Sequence, residues 1–238
     1  MKLDLASLKV FLSNFPKEDC LTYDIGNTHP HMGVFKKGIL TEVIPVLPQD
    51  LKKIESNQKN IICSVSKELP SSQLFQNLNE NFRGMPLQYS TTLGHDRLTL
   101  ASLAFHCWQK EIVIIDAGTF ITIDFVSPNG FEGGHIIPGI KTLLDCYQKG
   151  EQLFTPELEK RDIHQWPKNT HDSMAQGYQI LIEGLFEKIN SITRNKTVVL
   201  TGGSAPLIAP YLTPDLVEPH LIHYSLYFQY VSQKQTPL

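Results

Sequence analysis

Two short segments of the chain carry the same chemistry-bearing pattern. Asp24-Ile25-Gly26-Asn27-Thr28 and Asp116-Ala117-Gly118-Thr119 each set an aspartate at the end of a β-rich run, with a glycine two residues on and a threonine just after. A carboxylate there can hold a cation. The tight glycine turn lets backbone N–H groups approach phosphate oxygens, and the threonine adds a hydroxyl. One such turn is common in α/β proteins and most often only bends the chain. Two copies that face each other could grip a polyphosphate from both sides. Gly202-Gly203, after the apolar run Thr197–Leu200, offers a third place where backbone can come close to a nucleotide.

Phosphoryl transfer to a hydroxyl also wants a proton acceptor, which contributes roughly 100- to 10,000-fold. The segment Leu93-Gly94-His95-Asp96-Arg97-Leu98 offers Asp96, with Arg97 beside it to hold a substrate carboxylate or steady the site. The residues alone leave alternatives open: Asp96 as a cap for a helix beginning near Leu98, or His95 as the base. Other phosphate and metal signatures fail. No G-x-G-x-x-G follows a strand, and in Gly134 to Thr142 an extra Ile140 precedes Lys141, so the lysine of a P-loop is displaced. His29-Pro30-His31 and His220/His223 suggest metal ligands, but H-E-x-x-H is absent, and surface or core histidines are the preferred reading. The four cysteines, Cys20, Cys63, Cys107 and Cys146, include no C-x-x-C pair and read as reduced thiols.

The elements that must position these groups follow from periodicity and turn residues. A short amphipathic helix is expected over about Lys2 to Asn14, broken at Phe15-Pro16-Lys17. A strand is expected over Leu21–Asp24, a hairpin over His31–Val46 around Lys36-Lys37-Gly38, and a strand over Asn60–Val65. Leu98–Lys110 reads as a helix and Glu111–Asp116 as a strand. A hairpin follows, turning at Ser127-Pro128-Asn129-Gly130, then helices at Gly139–Lys149 and Ser173–Asn190, and the strand at Thr197–Leu200. The repeat of strand, aspartate, glycine turn and antiparallel hairpin points to an internal duplication: residues 1–20 as an N-terminal extension, 21–115 as a first half and 116–238 as a second. No linker rich in Pro, Gly or Ser separates the halves, so they are expected to pack closely.

Composition excludes several classes. With 21 Lys and Arg against 24 Asp and Glu, the 238-residue chain has a formal net charge of −3, without the basic surplus that binding a nucleic-acid backbone demands. At 41% apolar it has the means to form a core. No apolar run approaches the roughly 20 residues that span a bilayer. Asp4, Ser7 and Lys9 interrupt the N-terminus where a signal peptide would be continuously apolar. A soluble, cytoplasmic protein without nucleic-acid or membrane partners is expected.

In their order, DIGNT (24–28), LGHDR (93–97), DAGTFITID (116–124), GGHIIPGIKT (133–142), NTHDSMAQG (169–177) and TGGSAPLI (201–208) resemble the motifs of the type III pantothenate kinases. These belong to the superfamily of acetate and sugar kinases, heat-shock chaperone ATPases and actin. The resemblance spans roughly residues 21 to 230, and its specificity lies in the ordered set. It implies an α/β fold of two tandem duplicated ribonuclease H-like, actin-like ATPase domains with a cleft between them. The implied activity is ATP-dependent phosphorylation of pantothenate to 4′-phosphopantothenate, the first step of coenzyme A synthesis. A non-catalytic ligand-binding or regulatory relative of the same fold is the alternative.

Residue by residue, the resemblance makes Asp24, Ile25, Gly26, Asn27, Thr28, His29, Pro30 and His31 the ATP phosphate loop, with Asp24 near magnesium and Thr119 also touching ATP. Gly94, His95, Asp96 and Arg97 would bind pantothenate, with Asp96 as proton acceptor and Tyr89 lining the pocket. Asp116 would ligate a monovalent cation, K⁺ or NH₄⁺. Thr170 would reach pantothenate from the second subunit of a homodimer. Four departures from the family pattern stand out: the residues before the first motif, His29-Pro30-His31 in place of small polar residues, Phe120 where a small residue is usual, and Ser225 where a Gly-Leu pair is common. Pro30 removes one backbone donor from the loop, and Phe120 would narrow the nucleotide site.

Overall fold

The strand that carries Asp24, β1 (Cys20–Ile25), buries side chains on both of its faces, as a central strand must. In the computed structural model it pairs antiparallel with β2 (His31–Lys36) and parallel with β4 (Asn60–Ser64), and β3 (Ile39–Pro45) completes the hairpin outside β2. The structure describes residues 3–26, 28–54, 59–64, 71–72, 81–150, 153, 155–156 and 161–234. Lys2, Asn27 and Val65, each part of an expectation above, lie outside them.

A two-stranded ribbon, β5 (Asn81–Phe82) with β6 (Met85–Pro86), precedes the helix α2 (His95–Trp108). Then the pattern repeats. The strand that carries Asp116, β7 (Ile112–Ala117), pairs antiparallel with β8 (Phe120–Ser127), which pairs with β9 (Gly130–Pro138). On its other side β7 pairs parallel with β10 (Thr197–Thr201), flanked by β11 (Leu216–Val217). The sheet orders are β3-β2-β1-β4 and β11-β10-β7-β8-β9. With β11 set aside, the second sheet repeats the first strand for strand. This is the duplicated ribonuclease H-like arrangement, and Asp24 and Asp116 occupy the same penultimate position on its two central strands.

Alternation along β7 divides the core. Ile112 and Ile114 face a large apolar cluster that also takes Phe35, Ile61 and Cys63 from the first sheet, with α2 and the last helix, α6 (Leu221–Ser232), between them. Val113 and Ile115 face the other way, onto Tyr178, Ile182, Phe186 and Ile189 of the long helix α4 (Thr170–Ile192) and onto the short helices α3 (Ile140–Asp145) and α5 (Ala205–Ile208). The N-terminal helix α1 (Leu5–Leu12) starts with a capping box between Asp4 and Ser7 and sends Leu8 and Leu12 into the first cluster. Phe11 and Phe15 meet the Phe228 ring of α6 at 5.5 and 5.4 Å. The Tyr227 hydroxyl donates to the Pro16 carbonyl and accepts from the Glu18 N–H. Phe11, Phe15, Pro16 and Glu18 thus tie the start of the described chain to the last helix.

Two elements differ from expectation, and α6 was not expected. Helix α2 begins at His95, with Gly94 as its N-cap, so Asp96 lies inside the first turn and is not the cap of a helix starting at Leu98. The helix expected over 139–149 is α3 followed by a 3-10 turn at Cys146–Lys149. Helix α6 carries no apolar stripe because eleven of its twelve residues are buried, so its sequence lacks the one-sided period that announces a surface helix.

Candidate active site

Asp24 and Asp116 stand near the ends of their strands, both half-buried, and desolvation dominates their chemistry. Burial, then the charges of Asp116 and Asp96, pushes Asp24 up to about 8. Burial, then the charges of Asp96 and Asp124, pushes Asp116 up to about 7. The buried Cys63, opposite Asp24 across the β1/β4 pairing, is also pushed up by burial and then by Asp24, Asp96 and Asp116. The topology therefore gathers Asp24, Asp96 and Asp116 into one carboxylate cluster. Such a group is costly unless protons or cations compensate it.

The first turn of α2 presents Asp96. Its Oδ1 accepts the Arg97 backbone N–H at 2.8 Å, and a Cβ at Gly94 would stand 2.5 Å from that oxygen, so the glycine leaves the carboxylate its place. His95 pairs through Nδ1 with the Ser71 hydroxyl at 2.9 Å. Burial lowers its pKa, and Asp96 opposes the shift. Arg97 points inward and is only 4% exposed. Its Nε lies 3.0 and 3.2 Å from the two Asp124 oxygens, its Nη2 2.5 Å from Oδ1, and its Nη1 3.4 Å from the Tyr89 hydroxyl. The rings of Tyr89 and Phe131 lie 5.3 and 5.6 Å from the guanidinium carbon. Burial works against the cation, but Asp124 outweighs it, and the pKa of Arg97 lies above its ordinary value. Asp124 thus balances the arginine charge, which is not free to offset Asp24 and Asp116.

The two glycine turns meet. Thr28 Oγ1 and Thr119 Oγ1 are 2.8 Å apart, across 91 residues of sequence. Ile25 is 1% exposed and packs in the first sheet, so only its backbone can face a ligand. Nothing stands within 4 Å of where a Gly26 Cβ would be, and the turn opens to space there. His29 is exposed, while the Pro30 carbonyl is taken by the Val46 N–H at 2.8 Å. Phe120 is 46% exposed beside Thr119. The third loop abuts the second: Gly202 has φ +92°, and a Cβ there would stand 2.3 Å from Asp116 Oδ1. Only glycine takes that backbone at so small a distance.

His31 is the partner of Asp24 in the β1/β2 register, its Nε2 3.5 Å from Asp24 Oδ2. Its Nδ1 is 2.9 Å from Nε2 of His223, on α6. Burial first, then the neighbouring histidines, lower His31 to about 4 and His223 to about 3, so both rings are neutral at pH 7. Sequence reasoning noted these histidines but not their union, because no spacing rule links β2 to α6. It quoted Asp124 within a motif without giving it a role.

Thr170 begins α4, which Asn169 caps, and lines a cavity of about 540 Å³ with Tyr147, Leu153, Lys168, Ser173 and Met174. The cavity that Thr170 lines includes none of the three aspartates. Among the described residues, no group of three or more His, Cys, Asp or Glu is arranged to hold a metal alone. A divalent cation at Asp24 would therefore need phosphate oxygens and water to complete its shell, which is how magnesium is commonly held at nucleotide sites.

Comparison with known proteins bears on this arrangement. The pattern describing the family "Type III pantothenate kinase" matches residues 54–193, more than half of the chain. A type III pantothenate kinase from Flavobacterium psychrophilum is 31% identical over 216 residues, covering 81% of this chain and 90% of the relative. One from Syntrophotalea carbinolica is 37% identical over 136 residues, about half of each protein (53% and 52%). Among solved structures, a Campylobacter jejuni protein described as a conserved Baf-family transcriptional activator superposes with a TM-score of 0.62 at 22% identity. That likeness covers 91% of this chain and all of the other, and it speaks to the fold.

Proposed function

Because the chain belongs to the type III pantothenate kinase family, we propose that it transfers the γ-phosphoryl group of ATP to the primary hydroxyl of pantothenate, with Asp96 as proton acceptor. The observation that carries this reading is the gathering of Asp24, Asp96 and Asp116 at the meeting of two equivalent glycine turns. A carboxylate cluster beside backbone turns suits cation-bridged phosphates on one side and a substrate hydroxyl on the other.

Asp24 through His31, with Thr119, contact ATP. Of these, Ile25 contributes backbone, Thr28 and Thr119 contribute hydroxyls, and Asn27 lies outside the described residues. Asp24 holds the divalent cation and Asp116 the monovalent one, K⁺ or NH₄⁺. The fit rests on their equivalent places at the ends of the two central strands and on their raised pKa values, since bound cations would stabilise the ionised carboxylates. Bound there, the divalent cation supplies positive charge to the β- and γ-phosphate oxygens.

Asp96 orients the pantothenate hydroxyl and takes its proton as the new P–O bond forms. Tyr89, Gly94, His95 and Arg97 shape the pantothenate site, with Arg97 acting through its backbone and through the turn it anchors. Thr170 completes the site from a second copy of the chain, which makes the protein a homodimer. The halves 21–115 and 116–238 each contribute one aspartate turn, and 1–20 is an added segment. No described helix is long and apolar enough to cross a membrane, and the protein acts in the cytoplasm.

The test is product identity. Purified protein with ATP, Mg²⁺, K⁺ and pantothenate should yield ADP and a phosphomonoester with the mass of 4′-phosphopantothenate. ATP-site occupancy without phosphopantothenate under any cation would favour the non-catalytic alternative and contradict the proposal.

A further inference from the structure

A chain of hydrogen bonds runs from the last helix to Asp24. Thr22 Oγ1 lies 3.3 Å from the Gly33 carbonyl oxygen and 2.7 Å from His223 Nδ1. The hydroxyl has one proton and can give it to either partner; where it donates to the carbonyl, it accepts from His223, whose proton is then on Nδ1. Nε2 of a neutral His223 is then bare and accepts from His31 Nδ1–H across 2.9 Å. Nε2 of a neutral His31 is bare in turn, and it faces Asp24 Oδ2 at 3.5 Å. That arrangement leaves a nitrogen lone pair and a carboxylate oxygen directed at the same space; the reversed one turns a His31 N–H toward Asp24, and a bound cation selects the first.

That separation suits two donors on one cation. Ligand bonds of about 2.1 Å, at angles between right and tetrahedral, put adjacent donor atoms roughly 3.0 to 3.5 Å apart. The support behind His31 is also of the kind a ligating imidazole has: its other ring nitrogen is hydrogen-bonded, which fixes ring direction. The molecule makes room for that support. A Cβ at Gly33 would stand 2.6 Å from Thr22 Oγ1 and 2.7 Å from the His223 ring, so the glycine admits a histidine that is wholly buried.

We propose that His31 Nε2 joins Asp24 Oδ2 as a protein ligand of the divalent cation, with His223 and Thr22 as positioning residues, and that the site prefers Co²⁺ and Mn²⁺ to Mg²⁺. The inference rests on the reading that a divalent cation accompanies the nucleotide at Asp24. Magnesium is hard and takes oxygen ligands, whereas first-row transition metals accept imidazole nitrogen, Co²⁺ more strongly than Mn²⁺. Nucleotide oxygens and water fill the remaining positions.

Electron spin-echo spectroscopy of Mn²⁺ tests this directly. Full-length protein is loaded with Mn²⁺ and the β,γ-methylene analogue of ATP, which has no bridging nitrogen. The expected spectrum shows a ¹⁴N coupling typical of a directly bound imidazole, and a competition titration shows Mn²⁺ displacing Mg²⁺. In His31→Asn the coupling disappears and Mn²⁺ affinity drops about 10- to 100-fold. His223→Gln, which disturbs only the support, keeps the coupling and weakens Mn²⁺ binding. Bound Mn²⁺ without ¹⁴N coupling in the wild type, or a coupling that survives in His31→Asn, overturns the proposal. The two readings fail separately. Phosphopantothenate formation with Mg²⁺ but no ¹⁴N coupling sinks the ligand assignment alone, and ¹⁴N coupling without phosphopantothenate sinks the kinase reading alone.

Discussion

The guanidinium of Arg97 and the carboxylate of Asp124 meet end to side, with Nη2 2.5 Å from Oδ1 and Nε within 3.2 Å of both oxygens. Their side chains are 5% and 2% exposed, so the pair is a buried one. It ties the first turn of α2, which carries Asp96, to the strand that follows the Asp116 turn. The pair therefore joins the proposed proton acceptor in one half of the fold to the proposed cation site in the other.

Removing one partner of that pair strands the other charge in the interior. Asp124→Ala is expected to cost about 3 kcal/mol or more, which for a chain of this size lowers Tm by roughly 6–12 °C. Thermal melts of the variant and the wild type measure it. A loss below about 1 kcal/mol would mean that the pair behaves as a solvated surface ion pair. Where Asp124→Asn folds, kcat should fall more than the KM for ATP rises, because the turn that aims Asp96 has been loosened.

The carboxylate cluster predicts how stability depends on pH without cations. Asp24 and Asp116 have folded-state pKa values raised to about 8 and about 7, so the native state holds more protons than the unfolded one above pH 4. Their contribution is present at low pH and is lost as pH rises through 7 and 8. His31 and His223 have lowered values, about 4 and about 3, so they act in the opposite sense, but only below their ordinary value near 6.5. Between pH 6.5 and 8 the carboxylates decide the sign. Tm in a chelator should fall across that window, and Mg²⁺ with K⁺ should remove the fall by displacing the protons. A Tm that is flat in the chelator would contradict the cluster.

Gly202 gives access to the proposed monovalent site from outside the motif that contains Asp116. A Cβ placed 2.3 Å from Asp116 Oδ1 on a backbone with φ +92° has nowhere to go. Gly202→Ala is expected to cost about 1–3 kcal/mol of local strain and to shift the carboxylate. The wild-type rate should fall when Na⁺ replaces K⁺, and the variant should lose that discrimination. Equal rates in K⁺ and Na⁺ for the wild type would count against Asp116 as the cation ligand.

Thr170 and Asp96 are proposed to serve one site from two chains, and subunit mixing separates that from other arrangements. Thr170→Ala and Asp96→Asn are each expected to be nearly inactive. Unfolded and refolded together, they should recover about a quarter of the wild-type rate, because half of randomly paired two-fold dimers are mixed and one of their two sites is intact. No recovery, or a sedimentation mass near that of the 26.9 kDa monomer, would contradict the shared site.

Local signals carried much of this fold. The strands bearing Asp24 and Asp116, both hairpins and α4 were readable because each has a turn residue, a cap or a one-sided apolar period. The duplication was readable because an aspartate turn followed by a hairpin occurs twice, and the two sheets repeat that order. Helix α6 was not readable, since a helix buried all round shows no stripe. The His31–His223 union was hidden with it, as it depends on bringing residue 223 back against the first sheet. Asp124 shows the same limit. It stands in a quoted motif, but its partner Arg97 lies 27 residues away on another element, and only packing reveals that the arginine is already neutralised.

The central claim is that this chain phosphorylates pantothenate with Asp96 as the proton acceptor. Steady-state formation of phosphopantothenate, measured for the wild type and for Asp96→Asn with ATP, divalent cation and K⁺ saturating, tests it most directly. The wild type should turn over, and kcat should be lowered roughly 100- to 10,000-fold in the variant, with ATP still bound. Turnover by Asp96→Asn at the wild-type rate, or no phosphopantothenate from either protein, would contradict it.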